Sequence, residues 1–504
     1  MLTKQDHQQL KIKGITAAAV DQQLTYFKEG FPYTKVVRAA TIGDGIIRLG
    51  DEVLRRYVDQ YQQQSQQLRI SKFVPASGAA SRMFKAIFGY VDSDDDIEQH
   101  PKAKEIVEHL EELACRSDLA SALEANGKDL NHLMAQKDYR TILRALLYDE
   151  GLGYGQLPKG LLQFHRYSDT TRTPVEEHLI EAANYCADET GQSHLHFTVS
   201  PEHKEKFKAL LHDKQSSYEQ REGVTYNIDF SQQQPHTDTI AVDMDDQPFR
   251  MEDGSILFRP GGHGALIENL NALDADIVFI KNVDNVAPDR LKEDTFNYKK
   301  AIGGKLLELR SRIFYYLQRL DQDRYAEVLG EVEGFLREQL FLELPADYLG
   351  LSTADKAKWL QSKLNRPIRV CGMVQNEGEP GGGPFFAENP DGTVSLHIVE
   401  SAQFNPNDEQ QQELLKTSSH FNPVDLVCTL KDYQGNKFDL TKFVNHKQGF
   451  IAEKSKEGRK LKALELPGLW NGAMADWNTV FVEVPISTFS PVKEVNDLLR
   501  ETHR

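Results

Sequence analysis

KFVPASGAASRM, at residues 72–83, carries most of the information about the fold. Apolar Phe73 and Val74 indicate the end of a buried strand, small residues with a single glycine (Gly78) follow, and the apolar spacing beyond them is that of a helix. This order can hold a phosphate, because small residues let backbone N–H groups reach the anion and a helix N-terminus favours negative charge. A guanidinium at Arg82 would add a forked donor. The alternative is a turn that only packs a helix closely on a strand.

Composition narrows the class of protein. The chain has 504 residues and a formal net charge of −17, so we expect about two to four structural units and no nucleic-acid partner, since phosphate backbones need a basic field. Its four cysteines are scattered without a Cys-x-x-Cys pair, which is typical of reduced thiols in the cytosol. We see no signal-peptide pattern, and no window reaches the roughly 18 apolar residues of a membrane helix. We therefore expect a soluble cytoplasmic protein of bacterial character, able to bind a phosphorylated small molecule in a local basic pocket.

Strands and helices alternate over the middle of the chain. Residues 194–200 and 225–230 have strand patterns with a helical pattern between them, which argues for a mostly parallel sheet in an α/β protein. Helical spacing dominates before and within this alternation. The predicted parts are an N-terminal helical region at 1–67, a core at 68–345 that contains a helical insertion at 85–150, and the remainder of the core with its last strand and helix at 346–504.

Lys159 stands on a predicted turn. It lies between Pro158, which is rigid, and Gly160, which is permissive, directly before an apolar run. A lysine held on a fixed turn suits a phosphate contact. The alternative is an ordinary surface lysine.

Asp284 and Asn285 follow a continuous apolar run at 277–280, as expected of a buried central strand. In open α/β sheets, ligands bind beyond the carboxyl ends of the strands. An aspartate there is a candidate Mg²⁺ ligand, because Mg²⁺ on phosphates usually takes one or two carboxylates. The alternative is an Asx turn that closes the strand.

Two further segments carry polar or flexible residues beside predicted strands. Gln232 and Gln233 follow the strand at 225–230, and a side-chain amide presents donor and acceptor together, which fits a nucleobase edge. Polar loop filler is the alternative. FRPGGHGAL, at 258–266, is again rich in glycine and opens a predicted helix.

Taken in order, these motifs resemble those of the UDP-sugar pyrophosphorylases of the UDP-N-acetylglucosamine type. The motifs that carry the resemblance are SGAASRM (77–83), PKG (158–160), QQ (232–233), PGGHG (260–264), VDN (283–285), IVES (398–401) and FSPVK (489–493). Over its whole length the chain also resembles a bacterial family known only as a domain of unknown function (DUF4301-like), whose members share PASGAASRM and the WNGAMADWNTVFVEVP segment at 470–485. One motif is a weak signal, whereas seven in order are fairly specific for the fold.

The resemblance implies a GT-A-like (Rossmann-like) nucleotidyltransferase fold, in which helices flank a mixed sheet. It also implies a Mg²⁺-dependent reaction, in which a sugar 1-phosphate oxygen attacks the α-phosphate of a nucleoside triphosphate and pyrophosphate leaves. The residues that it assigns are Arg82 and Lys159 for catalysis; Ser77, Gly78, Ala79, Ala80, Gln232, Gln233 and Gly262 for the nucleotide; His263, Asn285, Glu400 and Lys493 for the sugar phosphate; and Asp284 for the metal.

The sequence departs from the family pattern at four places. The lysine that the family often places before its last strand is not clear here, because the matching stretch holds Trp470 and Asn471. The phosphate loop has one glycine where the family has three, and His263 stands in place of the sugar-contacting asparagine. A helical segment of about 70 residues separates the loop from Lys159, where the enzymes have a short link. A second hypothesis is therefore a catalytically degenerate homologue that binds a nucleotide or a sugar phosphate.

Overall fold

The computed structural model describes residues 2–322, 325–379 and 381–504. It confirms the predicted mixed α/β class, with a large mixed sheet flanked by helices. The helices assigned in these ranges are α1 (Lys4–Lys13), α2 (Ala17–Glu29), α3 (Asp51–Gln64), α4 (Lys85–Val91), α5 (Pro101–Glu108), α6 (Arg116–Ala125), α7 (Leu130–Gln136), α8 (Tyr139–Leu147), α9 (Pro174–Tyr185), α10 (Lys204–Glu222), α11 (Ile267–Ala272), α12 (Lys292–Leu320), α13 (Leu329–Gln339), α14 (Thr353–Leu364) and α15 (Glu409–Lys416).

The strands are β1 (Val36–Ala39), β2 (Thr41–Ile42), β3 (Gly45–Ile47), β4 (Ile70–Pro75), β5 (His165–Arg166), β6 (Thr171–Arg172), β7 (Gln192–Thr198), β8 (Thr225–Ser231), β9 (Thr239–Val242), β10 (Phe258–Arg259), β11 (Ile277–Lys281), β12 (Ile368–Gln375), β13 (Gly383–Glu388), β14 (Val394–Val399), β15 (His420–Phe421), β16 (Asp425–Thr429), β17 (Phe450–Lys456), β18 (Arg459–Glu465) and β19 (Asn478–Glu483).

Two compact units make up the chain. The first contains Met1–Arg69, Gln232–Phe279 and Ala301–Val484, and the second contains Ile70–Ser231, Ile280–Lys300 and Pro485–Arg504. The domain ranges predicted from the sequence stay a prediction.

Three parallel strands form the centre of the second unit. β4 pairs with β7, with Phe73 opposite His196, and β7 pairs with β8, with Phe197 opposite Phe230. β4 is buried along almost its whole length, as expected of a parallel strand that is covered on both faces. The strand predicted directly before the small-residue loop is therefore present, and α9 and α10 are helices of the same unit.

A layer of short helices, α4–α8, lies between β4 and Lys159 in the sequence. Among the described residues from 85 to 150 there is no strand, and the helices share an apolar core that includes Ile106 and Leu143. Val495 and Leu498, from turns near the C-terminus, pack into the same core. The C-terminal segment is thus fixed to the helical layer of the second unit.

The first unit contains the strand order β2-β3-β19-β12-β16. β12 runs parallel to β19 and antiparallel to β16, with Val370 opposite both Val480 and Val427. Two smaller sheets have the orders β10-β9-β18-β17 and β1-β13-β14. No helix in the part of the chain that the structure describes has the length and the apolar character needed to cross a bilayer.

The N-terminal region is helical as predicted in α1, α2 and α3, but the structure adds β1, β2 and β3 between α2 and α3. β1 pairs with β13, with Ala39 opposite Phe385. Local spacing missed these strands, because their pairing depends on partner strands far away in the sequence.

Candidate functional site

The loop after β4 exposes unpaired backbone donors. Ser77, Gly78 and Ala79 are exposed, and within the described residues their N–H groups make no hydrogen bond. The next residue, Ala80, is buried and donates its N–H to the carbonyl of Leu157 at 2.9 Å. A β-bridge between Ala79 and Pro158 therefore fixes the loop while its tip stays open to an anion.

The helix predicted after this loop begins too far along the chain for its N-terminus to contact an anion bound by the loop. A 3-10 turn, Ala80–Arg82, follows the loop, and α4 starts only at Lys85. Because the charge of a helix N-terminus falls off within one turn, the loop relies on its free amides and not on a helix dipole.

Lys159 lies directly against the end of β11. Its Nζ donates to Asp284 Oδ2 at 2.7 Å and to the carbonyl of Val492 at 2.5 Å. The Lys159 and Asp284 side chains are 17% and 16% exposed, so both are largely shielded and still reachable. A Cβ on Gly160 would lie 3.0 Å from Val283 Cγ2, which explains why the turn needs a glycine to bring Lys159 this close.

Asn285 ties the FSPVK motif to the end of β11. It is buried, and its Oδ1 accepts the N–H of Ser490 at 2.9 Å. The N–H of Val492 donates to the carbonyl of Asp284 at 3.3 Å. Lys493 follows with an exposed side chain. The structure thus brings four of the sequence motifs together in the second unit: the loop, PKG, VDN and FSPVK.

Arg82 is exposed and lies in the same unit, but among the described residues it forms no hydrogen bond or ion pair with Lys159 or Asp284. It lines a cleft of about 440 Å³ together with His100 and Lys102. Arg82 is therefore not part of the Lys159–Asp284 cluster in this state.

Asp284 is the residue predicted to hold Mg²⁺. Within the described residues no group of three His, Cys, Asp or Glu side chains could hold a metal ion, and one oxygen of Asp284 already accepts from Lys159. The described residues around Asp284 therefore supply fewer than three such ligands. That donor set fits Mg²⁺ only as it occurs on a nucleotide, where substrate phosphates and water supply the other ligands.

A second cluster of predicted residues lies in the first unit, around His263. Its Nδ1 accepts the N–H of Leu469 at 3.0 Å, so the neutral ring carries its proton on Nε2. The ring stacks on Trp470 with centroids 4.1 Å apart, and burial lowers the pKa of His263 to about 4. Gly262 has φ +78°, and a Cβ there would lie 3.3 Å from Glu465 Oε2. His263 is thus a neutral hydrogen-bond donor on an aromatic support.

Glu400 belongs to the same cluster. Its Oε1 accepts from Asn471 Nδ2 at 2.5 Å, and burial raises the pKa of Glu400, with a smaller contribution from the charge of Glu465. Asn471 Oδ1 is buried and finds no hydrogen-bond partner in the described residues. A Cβ on Gly468 would lie 2.6 Å from His263 Cε1 and 3.2 Å from Asn471 Nδ2, so this glycine allows the cluster to close.

Trp470 and Asn471 are cluster residues that the motif analysis did not assign. They open the WNGAMADWNTVFVEVP segment, at the place where the resemblance to the pyrophosphorylases implies a lysine before the last strand. Gln232 and Gln233 have other partners in the first unit: the Gln232 carbonyl accepts from Asn269 Nδ2 at 2.8 Å, and Gln233 Nε2 donates to Asp238 Oδ1 at 3.3 Å. Within the described residues, neither forms a hydrogen bond with His263 or Glu400.

Comparison with known proteins gives one family. The family model described as "Domain of unknown function (DUF4301)" matches residues 3–504. Sequence comparison finds no match among curated proteins.

Several solved structures are similar to this chain at low sequence identity. The UDP-N-acetylglucosamine pyrophosphorylase of Trypanosoma brucei has 11% identity and a TM-score of 0.48, over 99% of this chain and 79% of that one. A structure from the same organism described as UDP-glucose phosphorylase has 13% identity and a TM-score of 0.45, over 98% and 77% of the two chains. The UDP-glucose pyrophosphorylase of Leishmania major has 12% identity and a TM-score of 0.44, over 99% and 79%.

Proposed function

We propose that this chain, which belongs to the DUF4301 family, is a nucleotidyltransferase that joins a sugar 1-phosphate to a nucleoside triphosphate and releases pyrophosphate. One observation carries the proposal: Lys159 meets Asp284, 125 residues away, and the carbonyl of Val492, 333 residues away. Each partner comes from a different motif of the pyrophosphorylase-like series. A stable fold does not require these three motifs to come together. Phosphate chemistry does require it, because the charged groups must surround one reacting phosphate.

The reaction asks little covalent chemistry of the protein. An oxygen of the sugar phosphate forms a bond to the α-phosphorus, and the bond from that phosphorus to the pyrophosphate oxygen breaks. Catalysis then consists of holding the two phosphates in line and neutralising the charge that builds on the leaving group. The N–H groups of Ser77, Gly78 and Ala79 would donate to phosphate oxygens, and Lys159 would turn from Asp284 to the leaving pyrophosphate. Arg82 would have to move toward the same phosphates.

Mg²⁺ belongs to this proposal as a partner of the triphosphate. Asp284 is the residue that would hold it, with the phosphates as the remaining ligands. When bound, the ion would supply further neutralisation of phosphate charge. In the state described here, Lys159 occupies one Asp284 oxygen at 2.7 Å, which keeps the carboxylate neutralised until a ligand arrives.

The cluster around His263, taken by itself, presents groups that can bind a sugar. His263 offers an Nε2–H donor, and Asn471 offers an acceptor, Oδ1, that lacks a partner in the described residues. Sugar hydroxyls both donate and accept, so a site that presents both kinds of group can read them. Glu400, whose pKa is raised by burial, would be a second acceptor in its ionised form.

A catalytically degenerate binding protein is the second candidate. One observation favours it: the loop carries Ala79 and buried Ala80 beside its only glycine, so the phosphates meet more side-chain bulk than a glycine-rich loop presents. Both candidates predict binding of a nucleotide, and only the first predicts turnover.

Binding is tested by thermal unfolding with a panel of nucleoside triphosphates and nucleotide sugars, with and without Mg²⁺. A ligand at a hundred times its Kd stabilises the folded state by about 2.7 kcal/mol. The proposal expects a Mg²⁺-dependent rise in Tm with one triphosphate, and a smaller rise in Lys159→Ala, which removes one phosphate contact but not the loop amides. Lys462→Ala is the matched control, because Lys462 forms a similar half-shielded ion pair with Asp246 at 2.8 Å in the first unit. No shift with any member of the panel would contradict both candidates.

A further inference from the structure

The helix α9 carries charged residues in the interior of the second unit. Glu181 has no exposed surface, and its two oxygens accept from two buried lysines. Lys72 Nζ lies 2.8 Å from Oε2, and Lys281 Nζ lies 2.7 Å from Oε1. Tyr185 donates its hydroxyl to the same Oε2 at 2.9 Å. One carboxylate thus joins two lysines that come from different strands.

These two strands lead to the two halves of the candidate phosphate site. Lys72 lies on β4, which ends at Pro75, two residues before the exposed loop tip. Lys281 is the last residue of β11, three residues before Asp284. Because a strand advances by about 3.3 Å per residue, both lysines lie within a few residues of the groups that we propose to bind phosphate.

His178, a second residue of α9, also contacts Lys72 on β4 and the segment after β11. His178 is fully buried, and burial lowers its pKa well below the ordinary value, so that it is neutral. Its Nε2 lies 3.2 Å from the carbonyl of Val283, the residue before Asp284, and its own carbonyl accepts from Lys72 Nζ at 3.3 Å. One turn of α9 therefore fixes both strand ends.

The buried charges of this cluster are not the side chains that would stabilise the fold most. Two lysines and one glutamate leave a net positive charge in a place without solvent, and apolar side chains of similar volume usually fill such a place at least as well. Buried ionic groups are retained in several proteins because they fix one geometry among several. Here the geometry concerned is that of the two strand ends.

We infer that Glu181 is a positioning residue: it holds the ends of β4 and β11, through Lys72 and Lys281, so that the loop at 77–80 and Asp284 stand ready for the phosphates. The inference rests on the proposed function for the identity of the ligand. Glu181 touches no ligand itself and acts through the two lysines.

The first test measures the Kd for UTP with Mg²⁺ in Glu181→Gln. A small misplacement of binding groups costs about tenfold to a hundredfold, and we expect a rise of Kd in that range. In a Lys159→Ala background the same substitution should add little, because both changes act on one cluster. Equal losses in the two backgrounds would overturn the inference, since they would show a general weakening of the fold.

Glu176→Gln is the matched control. Glu176 is also buried on α9, but it bonds to Thr173 and Tyr218 and to neither β4 nor β11. It should lower stability without changing the Kd. A rise of Kd as large as that of Glu181→Gln would overturn the inference.

The second test does not depend on the ligand. Amide hydrogen exchange reports on local opening, and two amides report on the two strand ends: Ala80, bonded to Leu157 at 2.9 Å, and Val492, bonded to Asp284 at 3.3 Å. Both should exchange faster in Glu181→Gln and not in Glu176→Gln. If no nucleoside triphosphate of the panel binds to any form of the protein, the proposed function fails while this test still decides the positioning role.

Unchanged exchange at both amides would overturn the inference. Should Glu181→Gln fail to fold, Lys281→Met takes its place, because it leaves the Lys72–Glu181 pair intact. It should speed exchange at Val492 and leave Ala80 unaffected, and an unaffected Val492 would again overturn the inference.

Discussion

Lys72 gives the protein a pH-dependent instability whose size follows from the structure. Burial lowers the pKa of Lys72 from 10.5 to about 8. The charge of Lys281 also lowers this pKa, whereas Glu181 and Cys186 raise it. Lys72 Nζ also donates to the carbonyl of His178, whose ring is neutral, and lies 5.1 Å from the centre of the Tyr185 ring. A shift of this size corresponds to about 3 kcal/mol, at about 1.4 kcal/mol per unit. No allowance for solvent is needed, since the side chain is fully buried.

The direction in which the free energy of unfolding changes with pH follows from proton binding. Between about pH 8 and pH 10.5, the unfolded chain holds the Lys72 proton and the folded protein has lost it, so the free energy of unfolding rises with pH in this window. Below about pH 8 both states are protonated and the penalty of about 3 kcal/mol is fully present. Lys72→Met removes the charge at similar volume, and Glu181 keeps its bond to Lys281.

The assay is urea unfolding of the wild type and Lys72→Met at pH 7, 8, 9 and 9.5. The difference between the two free energies cancels the other titrating groups. We expect Lys72→Met to be at least as stable as the wild type at pH 7. By pH 9.5 the free energy of unfolding of the wild type should rise by about 1–2 kcal/mol relative to that of the variant. A difference that stays constant over this range would refute the reasoning, because it would mean that Lys72 is not a charged, buried group with a lowered pKa.

Three further predictions test single contacts. Gly160→Ala places a Cβ 3.0 Å from Val283 Cγ2, so we expect a loss of about 1–3 kcal/mol from overpacking, measured by urea unfolding; an unchanged stability would contradict the close approach of that turn. Gly468→Ala places a Cβ 2.6 Å from His263 Cε1, and we expect the ring stack on Trp470 to open, seen as a change in tryptophan fluorescence that a Gly435→Ala control does not show. The pKa of His263 is lowered to about 4 in the folded protein, so as the pH falls through 6.5 the unfolded chain protonates this imidazole before the folded protein does. The wild type should therefore lose stability between pH 6.5 and 4 relative to His263→Asn. A difference in the free energy of unfolding that stays constant over this range would rule this out.

The strands β4 and β11, which end beside the candidate site, could be predicted from the sequence. The apolar residues before the small-residue loop and before Asp284 are local signals of buried strands, and strand ends of an α/β sheet are where ligands bind. The meeting of Lys159 with Asp284 followed from the resemblance, since nothing local to either residue shows it.

Other features depend on contacts that local patterns do not contain. Glu181 stands in a helical sequence where a charge normally faces solvent, and its lysines come from strands about a hundred residues away on either side. The acceptor role of Asn471 depends on its burial beside Gly468. Arg82 lines a cleft with His100 and Lys102, which lie in the helical segment after the loop and which local spacing does not place beside it; its catalytic role stays a prediction.

The most direct test of the account is the release of pyrophosphate from a nucleoside triphosphate with Mg²⁺ and a sugar 1-phosphate, compared between the wild type, Lys159→Ala and Lys462→Ala. The account predicts release by the wild type and by Lys462→Ala, and loss of turnover in Lys159→Ala with some nucleotide affinity retained. A wild-type protein that binds the triphosphate without releasing pyrophosphate, or a Lys159→Ala variant with full turnover, would contradict it.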